Sequence, residues 1–185
     1  MTVLDEASYR ALLDSRGVLR PRALAPPDPG VAFTVFAQRT DAAVDVAALS
    51  GHARRFFAAR LGLTVDKRYD ADLPSVDAAR VVLATDDGEA NGTRLCYGRP
   101  AEATDHAAAD SAERLQGTHG MALLAARCRT VWLVAQEADD DRVALTIAAI
   151  FASVMLGPIL PPTRDELFGV RTARMKLERR SRPYR

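Results

Sequence analysis

The sequence predicts an α+β (or α/β) fold in a single domain: a mixed five-stranded sheet with a strand–helix–strand start, an antiparallel hairpin and packed helices. Three stretches carry that prediction. The run Thr130-Val131-Trp132-Leu133-Val134-Ala135 is short, β-branched and aromatic without alternation, which is how a strand buried on both faces reads. After the acidic break Asp139-Asp140-Asp141, residues 143–156 are apolar on every side, so as a helix they must be buried on every side. The loop at residues 86–92 carries both Asp-Gly and Asn-Gly between two short apolar runs, and these dipeptides accept the positive φ of hairpin turns.

The remaining elements follow in chain order. Residues 4–13 place apolar side chains at helical spacing, and residues 21–30 (PRALAPPDPG) form a proline-rich connector extended by its own stereochemistry. Residues 1–20 are thus expected to be a helix or arm outside a globular domain of residues 31–185. Residues 32–37 read as the first strand, and 43–61 as a helix, begun near Asp41 and stopped by Gly62, with Leu49, His52 and Phe56 on one face. Alternation over 63–69 gives a strand with one wet face, 70–75 a turn, and 80–85 and 95–97 the two arms of the hairpin. Residues 105–116 form an alanine-rich exposed helix, Gly117-Thr118-His119-Gly120 breaks it, and 121–128 resume it. Thr163-Arg164-Asp165-Glu166 fits a capping box, predicting a helix from Arg164 to about Arg179.

Composition bounds the function classes. At 185 residues, 48% apolar and 26% charged, the chain can bury a core without disulfides or metals. Its net charge of +1 gives no bulk case for nucleic acid. The charge is uneven, because residues 171–185 hold seven Lys/Arg against one Glu. Arg171, Arg174, Lys176, Arg179, Arg180, Arg182 and Arg185 are candidates for phosphates or acidic partners, but Tyr184 alone is there to stack on a base. Two cysteines, no CxxC and an N-terminus without a basic start and apolar run point to reduced thiols in a cytoplasmic protein. The uncharged stretch from residue 143 is stopped by Pro158. About fifteen helical residues span roughly 22 Å, short of a bilayer core near 30 Å, so no transmembrane span is expected.

Candidate chemistry gathers on one helix. His106, Asp110 and Glu113 are spaced four and three apart and share a helical face; a histidine near carboxylates is a potential general base. Arg99 and Cys96 lie just upstream and His119 in the glycine-flanked break, which makes all three candidate ligand-binding residues. Each has a plainer reading: a solvated ion-pairing face, a helix break, and a small buried thiol. His52 reads as a hydrogen-bonded core residue, and the oxygen-rich hairpin tip (Asp86, Asp87, Glu89, Asn91) lacks the register of a calcium loop. No metal and no cofactor are called for. The expectation is a non-catalytic protein-interaction or small-ligand-binding module that meets a protein partner or forms a homo-oligomer. The alternative is a small-molecule enzyme with a polar site around Arg99, His106 and Asp110.

Overall fold

From Pro29 the chain runs through a 3-10 turn (Pro29–Val31), strand β1 (Ala32–Ala37), helix α1 (Val46–Phe57), β2 (Ala59–Tyr69), β3 (Val76–Thr85) and β4 (Asn91–Pro100). Then come α2 (Ala103–Gln116), α3 (Met121–Ala126), β5 (Thr130–Ala135), α4 (Arg142–Met155), β6 (Ile159–Leu160) and α5 (Val170–Arg180). The computed structural model describes residues 27–38, 45–69, 76–88, 90–139 and 141–180. The helix expected at 4–13, the arm at 1–20, the connector up to residue 26, the turn at 70–75 and the terminal Arg182 and Arg185 lie outside the described residues, as do the side chains of 64–69, 76–78, 80 and 180.

The sheet order is β2-β3-β4-β5-β1-β6, and every neighbouring pair is antiparallel. The expected mixed five-stranded sheet is therefore corrected to a six-stranded, all-antiparallel, open one. The strand–helix–strand start does occur along the chain, but α1 carries it to the far edge, and β3 and β4 then return strand by strand to β5, which lies beside β1. No parallel ladder forms because β1 and β2 are not neighbours. The sixth strand is a two-residue edge strand between Pro158 and Pro161, a position where proline costs no ladder hydrogen bond. It reaches β1 through Gly157. A Cβ there would lie 1.9 Å from the Phe36 carbonyl oxygen, so only glycine lets the backbones approach, and the Phe36 amide then donates to the Pro158 carbonyl at 3.0 Å.

Side chains of successive strand residues point to opposite faces, and both faces are packed. On one face Phe33 and Val35 of β1, Val81 and Leu83 of β3, Cys96 of β4 and Trp132 and Val134 of β5 meet α1, α4 and α5. On the other, Phe36, Val131 and Leu160 meet α2 and α3 through Ala109, Ala112 and Ala125. Those helices lie over β5, β1 and β6, and on β3 the outward Val82 remains 49% exposed. Helix α4 is the central helix: Val143 to Ala152 and Met155 are buried, and Trp132 packs on Phe151 with ring centroids 5.2 Å apart. No helix among the described residues is long and apolar enough to cross a membrane.

The hairpin stands as expected, with β3 and β4 paired and Gly88 at φ 73°. Three helix limits are corrected. The helix expected from residue 43 begins at Val46, where the Asp45 carboxylate caps it by accepting from the Ala48 amide at 2.9 Å. The helix expected through residue 61 stops at Phe57, where Ala58 takes the left-handed cap (φ 47°). Gly62 is then a strand residue opposite Val82, because Ala59, Leu61 and Leu63 pack into the core as strand residues. The capping box at Thr163 does not start a helix. The Thr163 hydroxyl bonds the Asp165 carboxylate, and Arg164 sits at φ 55°. Ile159 and Phe168 exchange both backbone hydrogen bonds, at 2.7 and 3.1 Å. Burying Leu167 and Phe168 beside β6 keeps this segment extended until Val170.

Candidate functional site

Two carboxylates of α2, Asp105 and Glu113, have structural tasks. Arg99, on the α2 side of β4, makes a two-pronged hydrogen bond to Asp105 at 2.6 and 2.8 Å, and Asp105 also accepts from the Glu102 amide at 2.8 Å. Burial works to raise the Asp105 carboxyl, but the Arg99 hydrogen bond and the Glu102 amide outweigh it and hold it below the usual carboxylate range. Glu113 accepts from the Met121 and Ala122 amides at 2.6 and 3.0 Å. It thereby caps α3, whose first amides have no partner within their own helix. Asp110 faces solvent and pairs with Arg114 at 3.0 Å, one turn on.

His106 packs its ring beside Phe36, centroids 6.0 Å apart, and its Nδ1 is buried with no hydrogen-bond partner among the described residues. His119 is exposed in the break between α2 and α3. Cys96 is buried on the opposite face of the sheet, in the core with Trp132, and burial pushes its thiol far above the ordinary range. Cys128 is also buried, its thiol pushed up to about 11. The structure therefore brings Arg99 to the foot of α2 and separates Cys96 from His106 by the sheet itself. His52 donates to or accepts from the Ser153 hydroxyl at 2.9 Å, as expected of a core histidine.

A second arginine on β4, Arg94, performs the matching task on the other face. It binds Asp141 at 2.6 and 3.0 Å and Glu137 at 3.0 Å. Asp141 is the N-cap of α4, accepting from the Ala144 amide at 2.9 Å and from the Glu137 amide at 2.9 Å. Burial again works to raise the Asp141 carboxyl, and Arg94 with the two amides brings it below the usual range. Two arginines of opposite parity on one strand thus clip α2 and α4 to opposite faces of the sheet.

Beyond that clip lies an open cleft of about 520 Å³. It is framed by the entry to β1, the exit of β5 and the extended segment before α5. Its floor is apolar, from Phe33, Leu145 and Phe168, which are 8%, 2% and 3% exposed. Its rim is acidic: Glu137, Asp139, Asp165 and Glu166 stand against a single cation, Lys176. The Lys176 ammonium lies 2.6 Å from the Glu166 carboxylate and 5.2 Å from the centroid of the Phe168 ring. A carboxylate beside an aromatic face is a cation-recognising pair, and here a side chain of the protein itself fills it.

Compared with protein-family models, with curated proteins and with solved structures, the chain matches none. Chemistry is therefore read from the cleft alone. Sequence reasoning passed over it for a definite reason. Glu166 fitted a capping box, and Lys176 stood in a basic run. The other lining residues join segment 30–33 to segments 136–145 and 161–168, which no spacing rule connects.

Proposed function

We propose that the protein is a non-catalytic small-ligand-binding module whose guest carries a positive charge on a partly apolar body. The observation that supports this reading is the position of Lys176. Its ammonium rests against Glu166 and over Phe168, inside a cleft whose described rim carries four carboxylates and one lysine, one of the four, Glu137, being paired with Arg94. A cleft of about 520 Å³ is within the usual size of small-molecule sites, which are largely apolar with a few convergent polar groups. The guest's cation takes the place of the lysine ammonium or sits beside it among the carboxylates, and its apolar part covers Phe33 and Leu145. The engagement of Asp105 and Glu113 in capping and of Asp110 in a surface pair favours a binding role over acid–base chemistry on α2.

Native mass spectrometry of the purified protein in low salt would reveal any co-purified guest. Calorimetric titration with benzylammonium and with benzyl alcohol then separates charge from shape. Benzylammonium is expected to bind saturably and the alcohol to bind at least tenfold more weakly, about 1.4 kcal/mol. Glu166→Gln should weaken the cation, and Lys176→Met should strengthen it. Equal affinity for the two probes, or indifference to both substitutions, would remove the cleft from consideration.

A further inference from the structure

A second cleft, of about 350 Å³, opens on the other flank of α5 and has the opposite charge. We propose that it binds the phosphoryl group of a small organic phosphate. Four guanidinium groups from three helices line it: Arg54 and Arg55 at the end of α1, Arg142 at the start of α4 and Arg174 on α5. Two carboxylates, Asp87 and Glu178, stand among them, which leaves two positive charges in excess. Helix electrostatics alone account for only part of this placement. Arg54 and Arg55 lie in the last turn of α1, where a cation complements the helix dipole. Arg142 is the first residue of α4, the end where a cation is disfavoured, and it pairs with Asp87 in the same cleft. Arg174 lies in the interior of α5, away from the C-terminal turn that would favour a cation. Four guanidinium groups against two carboxylates leave the concavity attractive to a further anion, and the guanidinium fork matches phosphate oxygens in geometry as well as in charge.

The rest of the lining selects what carries the phosphate. Phe56, 38% exposed, and Phe57 and Leu177 offer apolar surface beside the guanidinium groups. Arg55 lies over the Phe56 ring at 5.2 Å, which holds one guanidinium at the border between the apolar and charged parts. Inorganic phosphate would meet only the arginines. A phosphate ester with a planar or apolar body would meet both.

Titration of the full-length chain with phenyl phosphate and with inorganic phosphate, at pH 7.5 and low ionic strength, tests the proposal by calorimetry. Saturable binding of phenyl phosphate is expected, at least tenfold tighter than inorganic phosphate. The Arg54→Gln/Arg174→Gln double variant should weaken phenyl phosphate at least tenfold with an unchanged thermal midpoint, and Arg114→Gln on α2, an exposed arginine outside the cleft, should leave binding as it was. No saturable binding, binding that survives the double variant, or equal loss in Arg114→Gln would overturn the site. Equal affinity for the two phosphates would overturn its preference for an ester.

Discussion

The two clefts on either flank of α5 are built from the same kinds of element and have opposite characters. One has an apolar floor under an acidic rim with a single lysine; the other has four arginines and two carboxylates beside exposed aromatic surface. Helix α5 serves both. Lys176 faces the first and Arg174 the second, two residues and about 200° apart round the helix. Helix α4 does the same through Leu145 on one side and Arg142 and Thr146 on the other. A net charge of +1 thus conceals two local fields of opposite sign, separated by one helix. The described part of the basic stretch is correspondingly not one patch, since Lys176 is tied to Glu166 while Arg174 adds to the arginine cleft.

The comparison is broken most drastically at Gly157. A methyl group there would sit 1.9 Å from a backbone oxygen that cannot turn aside, so β6 and the segment to Phe168 must move off β1. That segment is a wall of the acidic cleft and contributes nothing to the basic one. Gly157→Ala is expected to destabilise the fold by about 4 kcal/mol, read by urea unfolding. In whatever fraction stays folded, the cation probe should be lost before the phosphate probe.

Asp141 comes next, because it serves both sides. Its carboxylate holds the Glu137 amide on the acidic rim and starts α4, whose first residue lines the basic cleft. Asp141→Ala leaves Arg94 buried without its main partner and α4 without its cap, at a cost of about 3 kcal/mol. The same carboxylate makes the fold acid-sensitive. Asp105 and Asp141 are both held below their ordinary value of 3.8. Their contribution is therefore complete above that value, and it is lost as the pH falls through 3.8 toward the lower native values. The unfolding midpoint should be flat from pH 7 to 5 and drop steeply below pH 4. In Asp141→Asn that drop should shrink, because one of the protonations that drive it has been removed.

How much of this was legible in the sequence can be read from the same elements. Strand β5 and helix α4 declared themselves because their signals are local: an unbroken apolar run and a helix with no polar face. The hairpin was local too. Strand order was not, since nothing in β1 or β2 states that three strands lie between them. Ala58 gave no warning of a left-handed cap, for glycine is the residue that usually marks one, and Gly62 nearby drew the boundary to itself. Strand β6 hid among prolines. His106, Asp110 and Glu113 do share one helix, but the partners that engage them (Phe36, Arg114 and the first amides of α3) include tertiary neighbours that helical spacing does not reveal. Both clefts required side chains from four or more segments, and charge counts along the chain averaged them away.

A double dissociation sharpens the comparison with smaller effects. Lys176→Met and Arg174→Gln remove one positive charge each from neighbouring positions on one helix. The first should tighten benzylammonium and leave phenyl phosphate within twofold, and the second should weaken phenyl phosphate by several-fold and leave benzylammonium unchanged. Raising the salt from 10 to 150 mM shortens the screening length from about 30 to 8 Å. Any cross-effect carried by long-range field should then disappear, while the effects of direct contact remain. Cross-effects that persist in high salt would mean that α5 shifts as a body and that the clefts are one coupled site.

The smallest expected effect is at Asp110, and it calibrates the others. Asp110 and Arg114 form an exposed pair one turn apart on α2, the same residue types as in the buried clips but with water on nearly every side. Such pairs contribute no more than about 0.5 kcal/mol. Asp110→Asn should therefore move the urea midpoint barely beyond error and alter neither probe's affinity, whereas Asp141→Asn, the same chemical change in a buried clip, should do both. If Asp110→Asn altered the binding of either probe, the charge on α2 would be reaching a ligand. The face that carries His106 and Asp110 would then have a claim to function that its present contacts do not give it.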